Sequence, residues 1–304
     1  VSAVKTARRS TGKRAAALAL TAALVVGMTL PAFAQDWYID AGDISISAGE
    51  NGNNVTQNGT TTTDPTDTVI KSNGSSSNTV TIHADEGKTV NVTLENVNID
   101  TSDTGKAAVS VTGSGDTNIE LNGNNTLTSG GWHAGLEHNK ETDSEGNETS
   151  GTLTITDTDK NGSLTANGSS GGAGIGGATF KDAGKLEITG GTINATGSNG
   201  GAGIGGGDQG GDADIVISGG TITAAGGSDP RPGAVGGAGI GGGGWGGNAT
   251  ITITGDAVIK EAIGGKFAAG IGSSLQGKVS VIIEENSTIG KATGGAYAAG
   301  IGGG

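Results

Sequence analysis

Lys185-Leu-Glu-Ile-Thr-Gly-Gly-Thr-Ile-Asn-Ala-Thr-Gly197 and, two residues on, Asn199-Gly-Gly-Ala-Gly-Ile-Gly205 hold three short apolar runs separated by glycine. Leu186 and Ile188, Ile193 and Ala195, and Ala202 and Ile204 each alternate with small or polar residues, the period of a strand with one buried face. The next stretch repeats the pattern: Ile215-Val-Ile-Ser-Gly-Gly-Thr-Ile-Thr-Ala-Ala-Gly226 leads to Gly236-Gly-Ala-Gly-Ile-Gly241. The tetrad Ala-Gly-Ile-Gly recurs at Ala173, Ala202, Ala238, Ala269 and Ala299, in steps of 29, 36, 31 and 30 residues. A period of this size marks units that bury their apolar faces only by stacking.

Three strands per unit, joined by glycine turns, predict an all-β fold: a three-sided parallel β-helix, or β-solenoid. Helices need apolar spacing near 3.6 and far less than 63 glycines in 304 residues. Propeller blades need four strands per repeat. Degenerate units extend upstream, and starts at Val92, Ile119, Leu153, Leu186, Ile215, Ile251 and Val281 give about seven coils. Inward Ala and Ile with intervening glycines make the tetrad a narrow corner where backbones approach closely.

Residues 1 to 34 combine Lys5, Arg8, Arg9, Lys13 and Arg14 with an apolar run from Ala15 to Leu30 and Ala32-Phe33-Ala34. This is the layout of a secretory signal peptide cleaved after Ala34, and the run falls short of the roughly 20 apolar residues a span needs. The expected location is therefore secreted or cell-surface, with no membrane span in the mature chain. Removing those five cations takes the formal charge from −13 to −18 and leaves Arg231 as the one arginine. That balance excludes a nucleic-acid partner, which requires clustered Lys and Arg. Without cysteine, stability rests on stacking.

The expected organisation is a signal peptide (1–34), an N-terminal cap with a Thr/Ser/Asn-rich loop (35–78) and a β-helix (79–304). Ile39, Ile44 and Ile46 belong to the cap, and the tract 56–78 reads as solvated loop. The last residues fall inside a repeat, so the helix is expected to be truncated, since a solenoid needs a terminal cap. Residues 138–150 are an acidic insertion expected to protrude.

Val92-Thr-Leu-Glu-Asn-Val-Asn-Ile, Asn118-Ile-Glu-Leu-Asn-Gly-Asn-Asn-Thr-Leu-Thr, Gly151-Thr-Leu-Thr-Ile and Gly162-Ser-Leu-Thr-Ala-Asn-Gly carry a resemblance across about residues 79–304. Here the chain resembles secreted bacterial carbohydrate-binding β-helix proteins, right-handed and related in fold to polysaccharide lyases. The resemblance implies calcium sites and non-catalytic binding of plant or microbial cell-wall polysaccharide, acidic pectin included. The Ala-Gly-Ile-Gly corners depart from that pattern.

Candidate metal ligands are Asp157, Asp159 and Asn161, oxygen donors at alternate positions before a glycine turn, as calcium favours. A further carboxylate from another coil is needed to close such a site, and the same residues also suit an Asn-Gly turn. Asp208, Asp212 and Asp214 form a second cluster, with a solvated turn as its alternative. Candidate sugar-stacking residues are Trp245, in a glycine turn, and Trp132 beside His133. Phe267 and Tyr297 share the parity of the tetrad Ile and are expected inside. His83, His133 and His138 lack zinc-ligand spacing and read as surface residues.

Three functions compete. A non-catalytic polysaccharide-binding module, calcium-assisted, accounts for exposed ladders on a rigid prism. A structural adhesin or surface stalk, partnered by other cell-surface proteins, accounts for the repeats equally. A pectin-degrading lyase or hydrolase needs paired carboxylates, or a base with cations to hold uronate, and the mature chain is poor in cations.

Overall fold

The computed structural model describes residues 35–304 except 66, 230 and 285, so the expected signal peptide lies outside the described residues. Three parallel sheets form the walls of a β-helix. The sequence Leu-x-Ile, Ile-x-Ala, Ala-x-Ile of the opening unit supplies one strand to each: Lys185–Ile188 to the first face, Thr192–Thr196 to the second and Ile204–Gly205 to the third. All six apolar residues of those runs are buried. Coils stack with like on like, so Leu186 pairs with Ile215, Ile193 with Ile222 and Ile204 with Ile240. Each interior row is thereby a ladder of aliphatic side chains about 4.8 Å apart. A family-independent consequence is that one Ile must pack against two others, above and below.

All seven expected starts lie on the first face, with one slip in register. Ile119 pairs with Ile155 rather than Leu153, while Leu153 pairs with Leu186. A slip of two residues preserves which side chains point inward, so the hydrophobic pattern cannot register it.

The tetrad glycines are required by contact. Gly205 has φ +132°, and a Cβ there would lie 2.0 Å from the carbonyl oxygen of Gly241 on the next coil. No side chain fits that approach, whereas Ala202 and Ile204 fill the interior completely.

At the N-terminal end much of the expected loop, up to Lys71, is instead strand. Ile44–Ala48, Asn53–Gln57 and Thr60–Asp64 form an antiparallel meander, and Thr68–Lys71 joins the first face. Thr side chains are β-branched and pair well across strands: Thr56 Oγ1 lies 2.7 Å from Thr61 Oγ1. Buried Ile39, Ile44, Ile46 and Val55, with Trp37 donating to Asp64 Oδ2 at 3.2 Å, close this end of the core. In the insertion after His138, residues 141–147 are exposed and turn about Asp143, whose Oδ1 accepts from the backbone of Glu145 and Asn147. Among the described residues, no helix is long and apolar enough to cross a membrane.

His138 corrects the surface reading. It is buried, with Nε2 2.9 Å from the Gly151 carbonyl and Nδ1 3.3 Å from that of Val111. Burial pushes its pKa below the ordinary 6.5. It occupies the inward row continued by Leu136, so it replaces an aliphatic ladder residue at the root of the insertion.

Candidate functional site

The turn leaving each tetrad strand carries a left-handed residue at one place in four successive coils, the fourth turn being one residue shorter before the first-face strand. Ile175, Ile204, Ile240 and Ile271 are in register, and five residues beyond each stand Phe180, Gln209, Trp245 and Gln276. All four adopt left-handed φ, at +65°, +72°, +63° and +66°. All four are exposed. This conformation is uncommon for residues other than glycine and turns the side chain away from the core. Backbone bonds tie the first two turns to the next coil, from Phe180 N to Asp208 O at 2.9 Å and from Gly210 N to Gly244 O at 2.6 Å.

The turn entering the tetrad strand forms the opposite bank. Trp132, Phe267 and Tyr297 stand three residues before the tetrad glycine or its counterpart. Tyr297 is 88% exposed and stacks on Phe267 at 5.6 Å, with Lys266 Nζ 4.9 Å from the Phe267 ring centroid. The two rings do stack on neighbouring coils, but outside rather than in the core. Parity holds only along extended backbone, and φ of +61° and +66° breaks it at these positions.

Trp245 is 51% exposed and forms one wall of an open bowl of about 390 Å³ with Asn199, Asp208, Gln209, Arg231 and Val235. Asp208 Oδ1 is buried without a hydrogen-bond partner. It is lodged against Gly200 and Gly244, where a Cβ would come within 2.0 and 2.7 Å of it. Its Oδ2 accepts from Gln209 Nε2 at 3.3 Å. Arg231 Nε donates to Asp229 Oδ2 at 2.6 Å, and that guanidinium holds the Asp229 carboxyl below the usual carboxylate range. The pair neutralises itself, which leaves the bowl with hydrogen-bonding groups and one uncompensated carboxylate.

Trp132 is 69% exposed. Beside it, His133 Nδ1 lies 2.7 Å from Oε2 of buried Glu137, which also accepts from Ala134 N and Asn139 Nδ2. The Glu137 hydrogen bond raises the His133 pKa above 6.5 against the opposing effect of burial.

Asp157 and Asp159 occupy the turn between the first and second faces. Glu120, from the preceding coil, brings its carboxylate to them, and ligand oxygens of all three lie within 4.8 Å of one another. Asn161 serves the turn: its Nδ2 donates to Asp159 Oδ2 at 2.7 Å, and its backbone N donates to Asp157 Oδ1 at 3.1 Å. An all-oxygen set of this kind suits a hard cation such as calcium, with further oxygens from water or ligand needed to reach six to eight. The cluster borders a groove of about 460 Å³ on the first face, lined by Asn91, Asn118, Thr154, Thr156 and Thr158.

Asp208, Asp212 and Asp214 do not converge. Asp208 faces the bowl, Asp212 accepts from Asn248 N and Nδ2 at 2.8 and 2.9 Å, and Asp214 is exposed on the first face. A glycine turn followed by a strand points them in different directions. Phe180, Glu120 and Glu137 escaped sequence reading. Counting five residues from each tetrad Ile finds Phe180, and strand pairing of Glu120 with Thr156 explains the second.

A family model described as a beta helix repeat matches residues 186–208 and 251–275. Those segments run from the first-face strand through the tetrad region, in agreement with the stacked coils. Comparisons with curated proteins and with solved structures give no significant match.

Proposed function

We propose that this is an exported, non-catalytic β-helix that binds a plant or microbial cell-wall polysaccharide along the banks of the tetrad strand. One observation carries the reading: of eight aromatic residues, Trp132, Phe180, Trp245, Phe267 and Tyr297 all flank that strand, and four of them are clearly exposed. Exposed rings cost solubility, and a sugar-binding surface uses them against the apolar faces of pyranoses while amides and carboxylates take the hydroxyls. Asn199, Asp208 and Gln209 supply those groups beside Trp245. The test is a glycan array with the chain exported and purified whole. Binding to at least one polysaccharide, lost on Trp245→Ala, supports the reading, and absence of binding to every class favours the stalk. Release of reducing ends or unsaturated uronate would overturn the non-catalytic part.

Calcium assistance is a second reading, favoured by the convergence of Glu120, Asp157 and Asp159 beside the first-face groove. In an acidic protein, a bound cation would offset repulsion of a uronate chain. Added calcium should raise the melting temperature of the wild type and leave Glu120→Gln unchanged. An identical shift in both would remove these residues from the reading.

A further inference from the structure

We infer that the row Phe180, Gln209, Trp245, Gln276 is a linear reader for a neutral, extended β-1,4-linked glycan lying parallel to the solenoid axis. The inference rests on the polysaccharide-binding reading and names its substrate class. The four residues stand five beyond stacked isoleucines and share left-handed φ. The spacing of Phe180, Gln209 and Trp245, whose turns are equal in length, therefore follows the coils, and Gln276 continues the row from a turn one residue shorter. Rings and amides alternate, and the two rings are two coils apart, about 9.6 Å at the usual strand separation. That distance is close to the length of one disaccharide in a fully extended β-1,4 chain. Such a chain is a two-fold ribbon in which every second sugar presents the same face. Phe180 and Trp245 therefore meet equivalent pyranose faces, and Gln209 and Gln276 reach the polar edges of the sugars between and beyond them.

Charge around Trp245 favours a neutral polymer over a polyanion, and exposed Lys181 and Lys278 are the cations of the two outer turns. The Asp229–Arg231 pair cancels itself, Asp208 keeps an unpartnered buried oxygen beside Trp245, and the chain as a whole carries −13. A polyuronate gains no attraction beside Trp245, because Asp208, its Oδ1 enclosed against Gly200 and Gly244, places a negative charge there. An α-1,4 chain coils and cannot keep its faces on two rings in line.

Titration calorimetry with β-1,4-glucan and β-1,4-N-acetylglucosamine oligomers of two to six units, maltohexaose and oligogalacturonate tests this. One of the β-1,4 series should bind, with affinity rising sharply from dimer to tetramer, and the α-linked and anionic oligomers should bind at least about ten-fold more weakly. Phe180→Ala and Trp245→Ala should each lose about ten-fold. The decisive variant is the exchange Phe180→Gln with Gln209→Phe, which keeps both rings but sets them one coil apart. It should fall to the affinity of Phe180→Ala, with its folded state checked by an unchanged melting curve. Wild-type affinity in the exchange variant, or equal binding of maltohexaose, overturns the linear reader while polysaccharide binding stands. Failure of every oligomer and every polymer overturns both.

Discussion

The interior of the tetrad strand and the turn five residues beyond it obey opposite rules. Inside, Ile175, Ile204, Ile240 and Ile271 are identical and fully buried, and the adjoining alanines are equally enclosed. Outside, the same coils present Phe180, Gln209, Trp245 and Gln276, each in left-handed conformation. Invariant packing starts each turn from the same place, and exposed turn residues vary without disturbing the stack. The scaffold thus supplies spacing, and the variation along it supplies chemistry.

Substitutions that violate the interior should therefore dominate stability. Ile204→Ala removes a side chain packed between Ile175 and Ile240 and should cost about 2–5 kcal/mol in chemical denaturation. Gly205→Ala should cost at least about 2 kcal/mol, because both its φ and the Gly241 carbonyl oppose a Cβ. Trp245→Ala should change stability by no more than about 0.5 kcal/mol while losing glycan binding. A large loss of stability there would mark Trp245 as a plug over the coils and erase the distinction.

Two histidines sharpen the same contrast through pH. Buried His138 has a depressed pKa, so its contribution to stability is full above the ordinary 6.5 and is lost as pH falls from there through the folded value. Half-exposed His133 is raised by Glu137, so its contribution is full below 6.5 and is lost as pH rises through the folded value. The His133 effect should be the smaller, under about 1 kcal/mol, because water screens the pair. Denaturation midpoints of His138→Ala and His133→Ala against pH from 5 to 8, each compared with wild type, separate the two signs.

The architecture was legible because a parallel β-helix writes its interior directly into alternating Leu, Ile and Ala, and the tetrad marks each return to the same corner. Face assignment survived even the two-residue slip at Leu153, since parity is blind to it. Legibility ended where the backbone turns. Left-handed φ at Phe267 and Tyr297 reversed the expected direction of both rings. His138 went inward because the strand Leu136–His138 continues into the insertion. Glu120 joined Asp157 and Asp159 only through stacking of coils, a proximity that linear spacing does not carry. Thr60–Asp64 shows the converse: a polar tract without apolar alternation still forms strand when a preformed partner offers hydrogen bonds.

Hydrogen exchange of the intact protein with and without a β-1,4 hexasaccharide tests the division between frame and surface most directly. Protection confined to the turns at 179–182, 208–211, 244–247 and 275–278 is the result this account predicts. Protection along the first-face groove from Asn91 to Thr156, with those turns unchanged, would contradict it.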